Sequence, residues 1–356
     1  MRQRIEYIDA LRGFTMLLVV FAHVETVGFF GFSHSTFMGQ LFQSFRMPLF
    51  FFISGFIAYR NGVLWNLSTY ATNTLKKLKV QLIPTIVFGM IYTYPFIHSS
   101  LKVFISMPEK FGFWFTIALL EMFLVYYTIN YLCHFTKHAQ RNSALCAIVV
   151  AIIFFLLRFP FKTIDSLAHF GNVTSLHYTF AYFQYFVFGN IAAMFKEQTM
   201  RILDNKYVIA AVLVLFVTLF GVYYLRFNAN TPMVGSMQKA LAAVVYNAAG
   251  YMGIILVFNF FRIHQDSVSQ QTWLGRNLQY VGRRTLDIYM IHNFLIPHLP
   301  QVGSFLIKNP NPAVELFLGL SLSTLVVVVC LIISNVIRES DFLAYWLFGA
   351  KKKQNA

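Results

Sequence analysis

Long apolar stretches alternate along this chain with short connections that are polar or carry proline. A hydrocarbon core of about 30 Å takes roughly 20 mostly apolar residues to cross as a helix. Ten stretches approach that length: 13–31, 40–60, 80–98, 111–133, 144–158, 176–195, 207–225, 238–261, 283–300 and 313–337, the fifth and ninth being short. Connections such as Asn61 to Lys79 and Arg262 to Val281 separate them, with no repeat, long linker or low-complexity tract. Backbone polar groups in lipid must be satisfied within their own segment, so runs of this kind predict helices. The expectation is an all-α integral membrane protein of about ten transmembrane helices in one bundle over 1–340, with a short basic tail at 341–356.

Composition agrees. Of the 356 residues 58% are hydrophobic and 12% charged, with a mean hydropathy of +0.61. A soluble domain carries about 25% charged residues. The 41 Phe exclude a disordered chain. Cys133, Cys146 and Cys330 form no CxxC pair and no metal spacing, and read as small buried hydrophobes. A net charge of +15 could suggest nucleic acid, but no soluble basic domain exists to bind it. The basic residues instead crowd alternate connections: Arg2, Arg4 and Arg12; Arg60, Lys76, Lys77 and Lys79; Lys137 and Arg141; Lys196, Arg201 and Lys206; Arg262, Arg276, Arg283 and Arg284; Arg338 and Lys351 to Lys353. Fewer fall on the other side, among them Lys102, Lys110 and Lys308. By the positive-inside rule both termini are cytoplasmic. A cleaved leader fits poorly, since Arg12 and His23 interrupt or border the first apolar run and no small-x-small site follows.

A charge near the bilayer centre costs about 2.5–3.5 kcal/mol on insertion scales, so each one inside a span needs a reason. The first helix carries Asp9, Arg12, His23 and Glu25. Arg12 and His23 are separated by about three helical turns and about 16 Å of rise, so both project from one face. Alone, they suit a snorkelling arginine and a satisfied core histidine as readily as a site. In the second span Arg46 is placed to meet an anionic or hydroxyl-rich group, while Ser54-Gly55 suits a close helix contact or kink. Lys76-Lys77-Leu78-Lys79, ahead of Pro84, suits phosphates of lipid headgroups or of a phosphorylated ligand. No GxxxxGK[ST] loop supports a nucleotide hydrolase. Glu121 in the fourth span needs a partner, for which His23 and Arg46 are candidates. The ninth span adds Asp287 and His292. Each residue alone reads as helix contact. Their accumulation in separate spans suggests one polar cavity.

Several short patterns stand in order: Asp9-Ala10-Leu11-Arg12-Gly13 with His23; Phe51-Phe52-Ile53-Ser54-Gly55-Phe56 after Met47-Pro48-Leu49; the basic stretch from Lys76 to Pro84; Trp114-Phe115; and a Gly-x-x-Thr-x-x-Ile-Tyr-x-x-His run from Gly282 to His292. Together they resemble the transmembrane acyltransferase family 3, in its stand-alone form. One departure is visible. Family members often carry Arg-x-x-Arg where this chain has Lys76 and Lys79, and lysine keeps the charge but loses the bidentate fork.

The resemblance implies an O-acyltransferase that moves an acyl group, usually acetyl, from cytoplasmic acyl-CoA to a hydroxyl of an extracytoplasmic or membrane-linked glycan. Acetyl-CoA would be the cosubstrate, membrane lipids the surroundings, and a bacterial inner membrane the location. It gives His23 the part of general base, with a transient acyl-histidine left open. Arg12 would orient the donor or its charge, and Glu121 would hold the imidazole tautomer. Lys76, Lys79 and Arg12 would meet the CoA phosphates. Arg46, Ser54 and His292 would lie on the substrate side. A rival reading is a proton-coupled glycan or solute transporter or flippase, relaying protons through His23, Glu121 and His292. It expects inverted repeats and paired broken helices, and the sequence displays neither clearly.

Overall fold

The computed structural model describes residues 5–31, 36–227 and 235–350. Arg2, Arg4 and Lys351 to Lys353, used above for orientation, lie outside them. Every regular element among the described residues is helical. Seven helices there are long and apolar enough to cross a membrane: Glu6–Phe29, Phe37–Ala58, Trp114–Cys133, Ala139–Leu157, Lys206–Arg226, Met237–Ile263 and Pro312–Glu339. The other three predicted spans are helical but broken or less apolar. The stretch 80–98 is Ile83–Ile91 flanked by the π-turns Leu78–Leu82 and Tyr92–Phe96. Leu176–Met194 is one helix whose apolar character is diluted by His177, Thr179, Gln184 and Asn190. The stretch 283–300 breaks into Thr285–Ile291 and a 3-10 turn, His292–Phe294. Ile296 and Leu299 each precede a proline, which disfavours the helical conformation there.

The outward faces are apolar. Only 11% of the most apolar window of Lys206–Arg226 is buried, and Leu213, Val214 and Val217 are exposed on it. Lipid, not water, suits that surface. Cys133 and Cys330 are buried, but Cys146 is exposed, contrary to the expectation of three buried cysteines. The helix Ala139–Leu157 buries one narrow stripe, Ser143, Ala147 and Ala151. Cys146 stands about 100° round from Ala147 and falls off that stripe.

The chain forms two compact units. One comprises Met1–Ile53 and Phe195–Leu331, the other Ser54–Met194 and Ile332–Ala356. In the first, Glu6–His23 packs along Trp273–Arg283 with backbones in near contact. A Cβ on Gly13 would lie 2.0 Å from the Leu278 carbonyl oxygen, and one on Gly282 would lie 1.8 Å from that of Asp9. Each glycine is the notch that admits the other helix. Phe14 against Phe261 and Phe21 against Phe42 fill the flanks. In the second unit, Trp114–Cys133, Ala139–Leu157 and Leu176–Met194 pack on one another, and Gly55 abuts the Phe186 carbonyl in the same way. The predicted tail opens with a helix, Asp341–Leu347, capped by the Ser340 hydroxyl and packed on Ile83–Ile91.

Candidate active site

In the first unit His23 ends its α-helix, and the chain continues as a π-turn, Val24–Phe29. A π-turn inside a helix often marks a functional position. His23 is half-buried. Its ring meets that of His292 edge to face, with centroids 4.9 Å apart. His292 is 0% exposed. Its Nδ1 lies 3.1 Å from the Ile288 carbonyl and 2.9 Å from that of Tyr289. A carbonyl only accepts, so Nδ1 carries the proton and Nε2 keeps its lone pair. That Nε2 is buried with no hydrogen-bond partner among the described residues. Arg46 is close enough for its charge to act on both His23 and Glu25. Three side chains singled out in separate spans are thus gathered here.

Arg12 donates from Nη2 to the Thr285 hydroxyl at 2.9 Å and lies 3.7 Å from Asp9, one turn back on its own helix. Thr285 belongs to the Gly282-to-His292 pattern, so the first and last sequence patterns join through a hydrogen bond as well as through their glycines. Asp287, 1% exposed on its side chain, is ion-paired with Arg284 at 3.3 Å.

The second unit holds the other predicted residues. Glu121 accepts a 2.5 Å hydrogen bond from the Thr179 hydroxyl and feels the charge of Lys110. Lys110, counted above as an outer-loop residue, is 2% exposed. Its ammonium donates to the carbonyls of Ile105, Met107 and Asn172, at 2.5, 2.9 and 2.5 Å. Ser54 is half-buried and Lys76 is exposed at the end of Leu67–Lys77. The Lys79 ammonium rests over the Tyr345 ring.

A family model described as an acyltransferase domain, of the acyltransferase 3 type, matches residues 5–334. The chain belongs to the acyltransferase 3 family. It is therefore an acyltransferase of a membrane family, with several apolar helices to match. No match was found among curated proteins or among solved structures.

The first unit also holds a buried pair of acids that was not legible as a pair in the sequence. Glu25 and Glu315 are 3% and 6% exposed. Glu25 accepts from the Thr36 hydroxyl at 3.0 Å, and Glu315 accepts from the Gly39 backbone N–H at 3.3 Å. The two carboxyl groups are close enough to act on each other. Glu25 stood out only as a charge in the first span. Glu315 looked like an ordinary acid in the first turn of Pro312–Glu339, where the helix N-terminus favours it.

Proposed function

We propose that this acyltransferase moves an acyl group, acetyl in the expected case, from cytoplasmic acyl-CoA to a hydroxyl of an extracytoplasmic or membrane-linked glycan. His23 is its general base. The observation that carries the reading is the His23–His292 pair inside a family whose chemistry is acyl transfer. A neutral imidazole carries a nitrogen lone pair that can accept a proton, so His23 is suited to take the acceptor's proton. As the hydroxyl oxygen forms its bond to the thioester carbonyl carbon, His23 takes the proton. The carbon–sulfur bond then breaks and His23 returns the proton to the departing thiolate. The lone pair on His292 Nε2 can receive a hydrogen bond from the acceptor or from the protonated His23. Arg46 supplies positive charge where the carbonyl oxygen becomes negative.

The donor brings a thioester and phosphates. The chain offers cations of the right kind, Lys76 and Lys79 in one unit and Arg12 in the other. In the sequence all three fall on the basic side of the charge asymmetry, which supports a cytoplasmic donor and cytoplasmic termini, and the family reading adds a bacterial inner membrane as the location. In this reading the stretches 80–98, 176–195 and 283–300 complete ten crossings.

The test is acetyl-CoA turnover by the purified protein in liposomes, with candidate glycans supplied, comparing wild type with His23→Ala. Thiol release that is lost in the variant supports the assignment. Near-full activity in His23→Ala would remove the base role. If wild type neither binds nor consumes acetyl-CoA, the transporter or flippase reading takes its place.

A further inference from the structure

Beyond the residues matched by the acyltransferase family, the helix Asp341–Leu347 folds back onto the basic stretch. It packs on Leu78–Leu82 and Ile83–Ile91, and Phe348 stacks on Phe88 with centroids 6.1 Å apart at 23°. Arg338, just before it, lies over the Phe348 ring. Tyr345 and Trp346 come up against Lys79, whose ammonium is 2.6 Å from the first ring centroid and 5.3 Å from the second. Trp346 is 37% exposed. Two adjacent aromatic side chains are therefore held beside a cation, with Lys76 exposed one helical turn away.

We infer that the face of Tyr345 now under Lys79 stacks on the adenine of the acyl-CoA donor, with Trp346, whose ring stands at 87° to it, against the edge of the base, and that Lys79 leaves the ring to contact the nucleotide's phosphate. The inference rests on the acyl-CoA reading above. Every base has a π-face, so stacking on Tyr or Trp needs no further pairing. A half-exposed lysine over a ring is weakly held. A charge-assisted bond from the same ammonium to a phosphate oxygen is stronger, so the phosphate displaces the ring. The ring face then turns from covering a cation to covering a base. Lysine serves here as a point charge on a flexible stem, which is what such a swing requires and what an arginine fork would resist.

The experiment is calorimetric titration of the purified full-length protein in nanodiscs with CoA and, separately, adenosine 3′,5′-bisphosphate. Wild type is expected to bind both. Tyr345→Ala should weaken both by roughly tenfold, the loss of the stacking partner, and Trp346→Ala should weaken both by less. Trp346→Phe and Tyr345→Phe should keep most of the affinity, which separates loss of the face from loss of the fold. Alanine variants that bind both ligands like wild type overturn the inference, and so does wild type that binds CoA but not the bisphosphate. In both of those outcomes the acyl-CoA reading survives. Wild type that binds neither ligand overturns the donor reading itself and this inference with it.

Discussion

The rings of His23 and His292 stand edge to face at 67°, and the backbone carbonyls of Ile288 and Tyr289 fix which nitrogen of His292 holds the proton. One imidazole is thus locked while its neighbour carries no such carbonyl contact among the described bonds. His292→Ala should lower kcat by roughly 10²-fold, as for loss of a positioned proton-handling group, with membrane insertion unchanged. His292→Gln keeps a polar atom near the Nε2 position and should retain more activity than the alanine. Turnover by purified variants decides. Equal rates for His292→Ala and wild type would reduce the pair to packing.

Gly13 and Gly282 face reciprocal backbone carbonyls at distances no Cβ tolerates. Gly13→Ala or Gly282→Ala should therefore push Glu6–His23 and Trp273–Arg283 apart. Overpacking costs about 1–3 kcal/mol where side chains can yield, and a carbonyl yields less. The expected result is a clear drop in the thermal unfolding midpoint in detergent and in folded yield. A variant that unfolds at the wild-type temperature would show that the helices slide past each other at no cost.

These two pairs also show what was legible in the sequence. The patterns around Arg12, Gly13, Gly282 and His292 are short and local, and their residues do meet. Apolar runs announced the seven long helices because lipid demands them. Lys110 was not legible, since a lysine between a proline and a glycine reads as loop. Its burial depends on carbonyls of Ile105, Met107 and Asn172, the last 62 residues away. Glu315 was hidden for a similar reason, because its contact with Gly39 joins positions 276 residues apart. Tyr345 and Trp346 fell in a stretch dominated by the following lysines, which disguised a capped helix as a tail.

Arg12 is held by the Thr285 hydroxyl, whose loss leaves the guanidinium tethered by Asp9. Thr285→Val keeps the shape and removes the acceptor. If Arg12 orients the acyl donor, the KM for acetyl-CoA should rise several-fold with kcat less affected, and Thr285→Ser should restore it. A fall in kcat with KM unchanged would move Arg12 from donor binding to the chemical step.

Lys110 makes the stability of this protein depend on pH in a calculable direction. Burial disfavours its ammonium and lowers its pKa from 10.5 to about 8, while the carboxylates of Glu109 and Glu121 pull the other way. Below about pH 8 the lysine is protonated whether the chain is folded or unfolded, so it adds no slope. Between about 8 and 10.5 the unfolded chain still binds the proton and the folded chain has released it. The unfolded state then holds more protons, so the contribution of this residue to stability rises with pH across that window and levels off above it. Complete release corresponds to a change on the order of 3 kcal/mol. Deprotonation also leaves an amine with two hydrogens for three carbonyls, which trims the gain. Tyrosines and cysteines titrate in the same range, so the measurement is a difference: unfolding midpoints of wild type and Lys110→Met compared from pH 7 to 10.5. The wild type should gain on the variant as pH rises above 8. A constant gap across the whole range would mean that the three carbonyls hold the ammonium charged and that Lys110 keeps its proton in the folded protein.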